Sequence, residues 1–184
     1  MSDRDRYLAR PFAALRLIGF LVAVAAIGAV VPRAQGGMPP ADVRAVIEGT
    51  WELTEWHVGD VVVRPPEMEG RWMVYDGVVM AIRHRSAPDD YHSTAGYGEY
   101  RWGPDTWTYG YERQEDWRGP TAETAELTVS GSIPIRMREH RIAREGDMLI
   151  LESDALRWEY DIPGRTFLLL GADRQPIRRY RKID

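Results

Sequence analysis

Short segments that alternate apolar and polar residues follow one another from residue 49 to residue 183, with turn residues between them. Successive side chains of a strand point to opposite faces, so this alternation predicts half-buried β-strands. Pairs such as Asp76-Gly77 and Pro163-Gly164 predict tight turns. Regular spacing of this kind is typical of a barrel or a sandwich. Consecutive hairpins favour an all-β fold, a single antiparallel up-and-down β-barrel of about eight to ten strands.

The remaining elements follow from local composition. A short helix is predicted at residues 41–47, before the first strand, and a mobile rim loop at residues 86–94. Residues 114–120 are predicted to be loop, and residues 121–131 are either a frayed edge strand or a lid. The predicted strands cover residues 49–57, 61–63, 71–75, 78–85, 96–102, 106–113, 133–143, 148–153, 156–162, 166–170 and 177–183.

Two predicted strands carry a face that begins apolar and ends polar. On the first strand this face holds Trp51, Leu53, Glu55 and His57. On the fourth strand it holds Val78, Met80, Ile82 and His84. Such a gradient is expected when one end of a strand packs in a barrel floor and the other end opens toward a mouth. We therefore predict that both faces point into the barrel.

Aromatic residues are concentrated in one predicted hairpin and one later strand. The chain has 7 Trp and 9 Tyr but only 3 Phe, and rings with a polar handle suit cavity walls. Cross-strand aromatic pairing in the core is the alternative explanation. The predicted ligand-binding set is Leu53, Glu55, His57, Met80, Ile82, His84, Tyr100, Trp102, Trp107, Tyr109, Tyr111, Trp158 and Tyr160.

Composition excludes several classes of function. The chain has no cysteine, so thiol catalysis and Cys-based metal sites are excluded, and its four histidines lack metal-ligand spacing. We expect no metal and no cofactor. Residues 1–36 carry five Arg and two Asp, so the net charge of −4 for the chain leaves −7 for the remainder. An acidic body argues against nucleic acid and against anionic membrane surfaces as partners.

Residues 1–36 have the layout of a secretory signal. Arginines at positions 4, 6, 10 and 16 precede the uncharged apolar run of residues 17–31, which is followed by small residues at 34–37. A helix over this run would extend about 22 Å, less than the ~30 Å hydrocarbon core. We expect a cleaved signal and a periplasmic or extracellular domain at residues 37–184. The alternatives are an uncleaved membrane anchor within residues 12–31 and a buried helix.

The Gly49-Thr50-Trp51 motif, the run of hairpins and the Arg-rich last strand together resemble the lipocalin-like (calycin) domain family, most closely its small bacterial members. The resemblance implies that Trp51 closes the barrel floor and that Arg179 or Arg181 packs across it. It also implies a hydrophobic ligand. The Thr-Asp-Tyr motif, the disulfides and the C-terminal helix of classical lipocalins are missing here.

Three functions are compatible with these patterns. The first is an exported, non-enzymatic protein that binds a small apolar or amphipathic molecule inside the barrel. The second is an isomerase, cyclase or hydrolase that uses Glu55 and His57 as an acid-base pair, with His84 nearby. The third is an assembly or structural module of the cell envelope that acts through the outer face of the barrel and exposes an apolar patch there.

Overall fold

A short helix, α1, is separated by one residue from the first strand of a closed β-sheet. The computed structural model describes residues 41–184; the predicted signal segment and residues 37–40 lie outside this range. Within it are helix α1 (Ala41–Ile47) and strands β1 (Gly49–Val58), β2 (Val61–Val63), β3 (Met68–Tyr75), β4 (Val78–Ala87), β5 (Asp90–Trp102), β6 (Thr106–Gly119), β7 (Glu126–Ser130), β8 (Arg138–Glu145), β9 (Met148–Glu152), β10 (Leu156–Asp161), β11 (Thr166–Gly171) and β12 (Pro176–Lys182).

The twelve strands of the described residues occupy ten positions around the barrel. Strands β2 and β3 both pair with β1, and strands β7 and β8 both pair with β6, so each couple fills one position. The other strands pair antiparallel with their neighbours in sequence, and β12 returns to pair with β1. The predicted all-β, up-and-down barrel with a short leading helix is confirmed, and it has ten strand positions.

Strands β4, β5 and β6 are longer than predicted. Residues 86–94 are not a rim loop, because β4 and β5 pair from Val78 opposite Glu99 to Ala87 opposite Asp90. Residues 114–119 continue β6, with β7 alongside, so the prediction of a loop there was wrong. Residues 133–137, predicted to begin a strand, precede β8 as irregular chain. Continued cross-strand hydrogen bonding overrides the turn-forming composition of these segments.

The floor of the barrel is built around Trp51. Its indole nitrogen donates a hydrogen bond to the Ile47 carbonyl of α1 (3.1 Å), and its ring meets Tyr160 and Phe167 edge-on at 5.3 and 4.9 Å between centroids. Trp51 is 2% exposed, and Ile47 is fully buried against it. Helix α1 and Trp51 therefore pack together at this end of the barrel.

The cation that packs on the floor is Lys182. Its ammonium lies 5.4 Å from the Trp51 ring centroid. Arg179 and Arg181 point outward, where they pair with Glu55 and Glu52. The prediction that one of these arginines crosses Trp51 is therefore wrong. Lys182 is the cross-strand partner of Trp51, and alternation along β12 sends its neighbour Arg181 to the other face.

A β-bulge reverses the faces of strand β1. The register between β1 and β12 shifts between Leu53 and Glu55, so Leu53 and Trp56 point inward while Glu55 and His57 point outward. A bulge places one extra residue on one strand and moves all later side chains to the opposite face. The predicted inward orientation of Glu55 and His57 is therefore wrong.

The predicted inward orientation of Val78, Met80, Ile82 and His84 on strand β4 is also wrong. Val79 and Ala81 are buried, whereas Met80 and Ile82 are 44% and 60% exposed. The set Val78, Met80, Ile82 and His84 thus covers the outside of the barrel. Both faces of this strand carry apolar residues, so alternation alone could not select the inner one.

None of the helices within residues 41–184 has the length and apolar content that crossing a membrane requires.

Candidate functional site

The described residues line a partly open cavity of about 630 Å³ in the barrel. This volume falls within the range of about 300–1,000 Å³ that is typical of small-molecule sites. Its aromatic wall consists of Trp72, Tyr109, Tyr111, Trp158 and Tyr180, and its aliphatic wall consists of Leu156, Leu169 and Ile177. The lining thus comes from strands β3, β6, β10, β11 and β12, on different sides of the barrel.

The aromatic wall is held by two edge-to-face contacts and one tilted contact between rings. Trp72 meets Tyr109 at 5.7 Å and Trp158 at 5.4 Å between ring centroids, and Tyr109 meets Tyr111 at 5.9 Å. Such pairs fix ring orientation through their quadrupoles. Burial raises the pKa of Tyr109 and that of Tyr111, so both phenols stay neutral and can donate hydrogen bonds into the cavity.

The polar part of the lining is cationic. Arg83, Arg136, Arg138 and Arg178 line the cavity together with Gln114, and no Asp or Glu does so among the described residues. The Nε atoms of Arg83 and Arg178 are buried and have no hydrogen-bond partner. Burial and the neighbouring charge of Arg83 lower the pKa of Arg178 to about 10, which still leaves it positive at neutral pH.

Two glycines make room for side chains on this wall. A Cβ atom at Gly70 would lie 2.6 Å from the Cβ of Arg83, and one at Gly96 would lie 3.2 Å from the ring of Tyr111. Gly70 is the cross-strand partner of Arg83, and the absence of a side chain there lets the arginine occupy the barrel interior.

The chain between β7 and β8 borders the cavity. Arg136 and Met137 line it, and Gly110 of β6 lies beneath this segment, since a Cβ at Gly110 would lie 2.5 Å from the Arg136 carbonyl oxygen. The hydroxyl of Ser132 accepts a hydrogen bond from the Arg136 amide (2.9 Å), which closes a turn. Residues 131–137 therefore lie across β6 next to the opening of the cavity.

A second polar group lies beside the cavity at the end away from the floor. The guanidinium carbons of Arg85 and Arg178 lie 4.9 and 4.7 Å from the Trp56 ring centroid, and the His92 ring lies 5.0 Å from it. His92 Nε2 lies 3.1 Å from an Asp116 carboxylate oxygen. Burial lowers the pKa of His92 despite this carboxylate, so the imidazole is neutral at pH 7. Trp56 thus touches both Arg178 of the cavity and this cluster.

The predicted ligand-binding residues are dispersed by the fold. Three of them, Tyr109, Tyr111 and Trp158, line the cavity. Others are buried in the core outside the cavity lining or lie on the outer face. Core positions are Leu53, Tyr100, Trp107 and Tyr160, with Trp102 packed against them. Outer positions are Glu55, His57, Met80, Ile82 and His84.

Glu55 and His57 form an ordinary surface charge cluster. The Glu55 carboxylate accepts hydrogen bonds from Arg64 (2.8 Å) and Arg179 (3.2 Å), and His57 Nε2 lies 3.3 Å from it. Burial opposes ionisation of Glu55, but the two arginines outweigh burial and its pKa is lowered. A carboxylate neutralised by two guanidinium groups is a poor general base, and it does not line the cavity.

Sequence reasoning missed the residues that give the cavity its charge. Neither Arg83 nor Arg178 is in the predicted ligand-binding set, and an unpaired arginine inside a barrel is rare. Alternation groups both residues with buried neighbours, although it does not say which face of a strand is the interior. Arg83 shares its face with Val79 and Ala81, and Arg178 shares its face with Tyr180. No group of His, Asp or Glu within residues 41–184 could hold a metal ion.

Comparison with protein-family models, with curated proteins and with solved structures gave no match to this chain.

Proposed function

We propose that the protein is an exported binding protein of the cell envelope that holds one small amphipathic molecule inside a lipocalin-like barrel. The observation that carries this proposal is the cavity of about 630 Å³ between the aromatic wall and Leu156, Leu169 and Ile177. A partly open cavity of this size, with apolar walls and a few polar groups, has the usual form of a small-molecule site.

Export is proposed from the N-terminal segment. The basic residues, the apolar run of residues 17–31 and the small residues after it have the layout of a secretory signal. The lipocalin-like kinship is proposed from Gly49-Thr50-Trp51, since Trp51 lies on the barrel floor beneath a cation from the last strand.

Native mass spectrometry of the protein purified without detergent tests both parts. We expect a mass that begins near residues 35–37 and an additional mass of one small molecule, released on denaturation. A retained segment 1–34 would contradict cleavage. A protein that carries no adduct and binds no neutral apolar probe such as Nile red would contradict the binding function.

A cavity-filling variant locates the bound molecule. Ile177→Trp adds a large ring at the cavity wall, and we expect loss of the adduct and at least tenfold weaker Nile red binding. Leu168→Trp adds the same ring on the outer face of β11 and is the matched control. Equal loss in both variants, or in neither, would place the molecule elsewhere.

A patch on the outer face favours a second candidate function, an assembly module. Val78, Met80, Ile82 and Tyr97 of β4 and β5 are 43–60% exposed and neighbour Tyr75 of β3. Exposed apolar residues in contiguous positions mark association surfaces. This candidate predicts a stable complex in sedimentation experiments that Ile82→Lys abolishes, whereas a monomer at all concentrations that copurifies alone would exclude it.

A further inference from the structure

Resting on the proposed function, we infer that the molecule held in the barrel is an amphipathic acid whose oxyanion head group, a carboxylate or phosphate, lies between Arg83 and Arg178. Its apolar part lies along the aromatic wall. The inference rests on an excess of positive charge in the cavity of a domain whose net charge is negative.

The charge of the cavity differs from that of the whole domain. The chain beyond residue 36 has a net charge of −7, yet the cavity is lined by four arginines and by no carboxylate among the described residues. On the same strand as Arg178, the outward-facing Arg179 and Arg181 are paired with Glu55 and Glu52. Neither Arg83 nor Arg178 forms an ion pair with any residue in 41–184, and their Nε atoms have no hydrogen-bond partner. The two interior arginines therefore lack the carboxylate partners that these two outer arginines have.

The unpaired guanidinium groups are costly without an anion. A buried charge that lacks a partner is strongly unfavourable, and both Nε atoms are buried without a hydrogen bond. Arg178 is partly compensated by its position over the Trp56 ring at 4.7 Å, but its buried Nε–H has no acceptor. A guanidinium offers parallel N–H donors that match a carboxylate or a phosphate. An oxyanion is therefore the group that would satisfy both residues at once.

The surroundings select an acid with an apolar body rather than a free inorganic anion. Trp72 and Trp158 lie on the same cavity as the two arginines, and Leu169 is the cross-strand partner of Arg178. Tyr111 and Tyr180 line the same cavity as Arg83, so their hydroxyl groups can donate to the same head group. A head group alone would leave most of the 630 Å³ and its apolar wall unfilled.

Titration with decanoate, decanol and inorganic phosphate tests the inference on the purified protein. Decanoate and decanol share the alkyl chain and differ in charge at pH 7. We expect wild-type protein to bind decanoate at least tenfold more tightly than decanol, and phosphate alone more weakly than decanoate. Arg83→Met and Arg178→Met should each weaken decanoate binding about 10- to 100-fold, since a hydrogen bond to a charged group has this effect. Decanol binding should change less than threefold.

The matched control is Arg179→Met, on the outer face of the same strand as Arg178, and it should leave both affinities unchanged. If each variant still binds decanol, its cavity is intact. The preference of the wild-type protein for decanoate over decanol is measured without any variant, so it tests the inference even if a variant fails to fold. Equal affinity for decanoate and decanol, unaffected by either inner arginine, would overturn the inference while the binding function stands. No binding of either compound would contradict the binding function itself. Phosphate binding as tight as decanoate binding would overturn the amphipathic class.

Discussion

The ammonium of Lys182 lies 5.4 Å from the ring centroid of Trp51, its cross-strand partner, and joins the two ends of the barrel domain. The same ammonium donates to the carbonyl oxygens of Ala45 and Glu48, each at 2.6 Å, at the end of helix α1. Cations near a helix C-terminus satisfy carbonyls that lack partners within the helix. One side chain therefore links α1, β1 and β12 and closes the floor beneath the cavity.

Replacing Lys182 with Met is expected to destabilise the protein by about 1–3 kcal/mol, since the change removes a cation-π contact and two hydrogen bonds to carbonyl groups at the end of helix α1. Urea unfolding followed by tryptophan fluorescence measures the effect. Arg181→Met removes only an exposed ion pair with Glu52 and should cost less than 1 kcal/mol. Equal costs for the two variants would contradict this role of Lys182.

Strand β4 offers a direct test of which face points inward. Val79→Thr places a hydroxyl in the core and should cost about 1–3 kcal/mol, whereas Ile82→Thr on the outer face should change stability by less than about 0.5 kcal/mol. Thermal and urea unfolding of the two variants provide the comparison. If Ile82→Thr cost more stability than Val79→Thr, the predicted orientation of β4, with Ile82 facing inward, would be correct instead.

Gly70→Ala is expected to push Arg83 out of its position. The new Cβ would lie 2.6 Å from the Arg83 Cβ and 2.9 Å from the Ile82 carbonyl oxygen. Overpacking of this kind costs about 1–3 kcal/mol. Unfolding in urea checks the cost, with exposed Glu69→Ala as the neighbouring control. If Gly70→Ala were as stable as Glu69→Ala, the backbone of β3 would be able to shift away from Arg83, and the close contact would not be costly.

His140 should make stability depend on pH. It is fully buried against Trp107, Tyr109 and Trp158, and burial lowers its pKa from 6.5 to about 4. The unfolded chain therefore binds a proton that the folded chain rejects. This contribution to stability is complete above pH 6.5 and is lost as pH falls through about 4, by roughly 3 kcal/mol.

Urea unfolding at pH 7, 5.5 and 4.5 follows this loss, and His140→Leu should flatten the profile over that window. His84→Leu, on the outer face, is the control and should keep the wild-type slope. An unchanged slope in His140→Leu would assign the acid sensitivity to other groups, either His92, whose pKa burial also lowers, or the carboxylates, which lose their arginine partners in the same direction but at lower pH.

Local sequence patterns were enough to predict the class of fold and most of its elements. A tight turn such as the one at Asp76-Gly77 involves only four consecutive residues. Asp76 and Gly77 adopt positive φ angles (48° and 81°), which Asp and Gly tolerate better than most residues. The helix at 41–47 was located for the same reason, since local composition fixes local structure. Consecutive hairpins then leave an up-and-down barrel as the arrangement without free edges.

The side chains that face the cavity could not be predicted in the same way, because they depend on contacts between distant parts of the chain. The bulge after Leu53 turned Glu55 outward and Trp56 inward, and bulges depend on pairing with a strand more than a hundred residues away. Arg83 and Arg178 became interior residues through register with Gly70 and Trp56. Local alternation specifies two faces of each strand, but the face that becomes the interior is chosen by long-range pairing and packing, and with it the charge of the site.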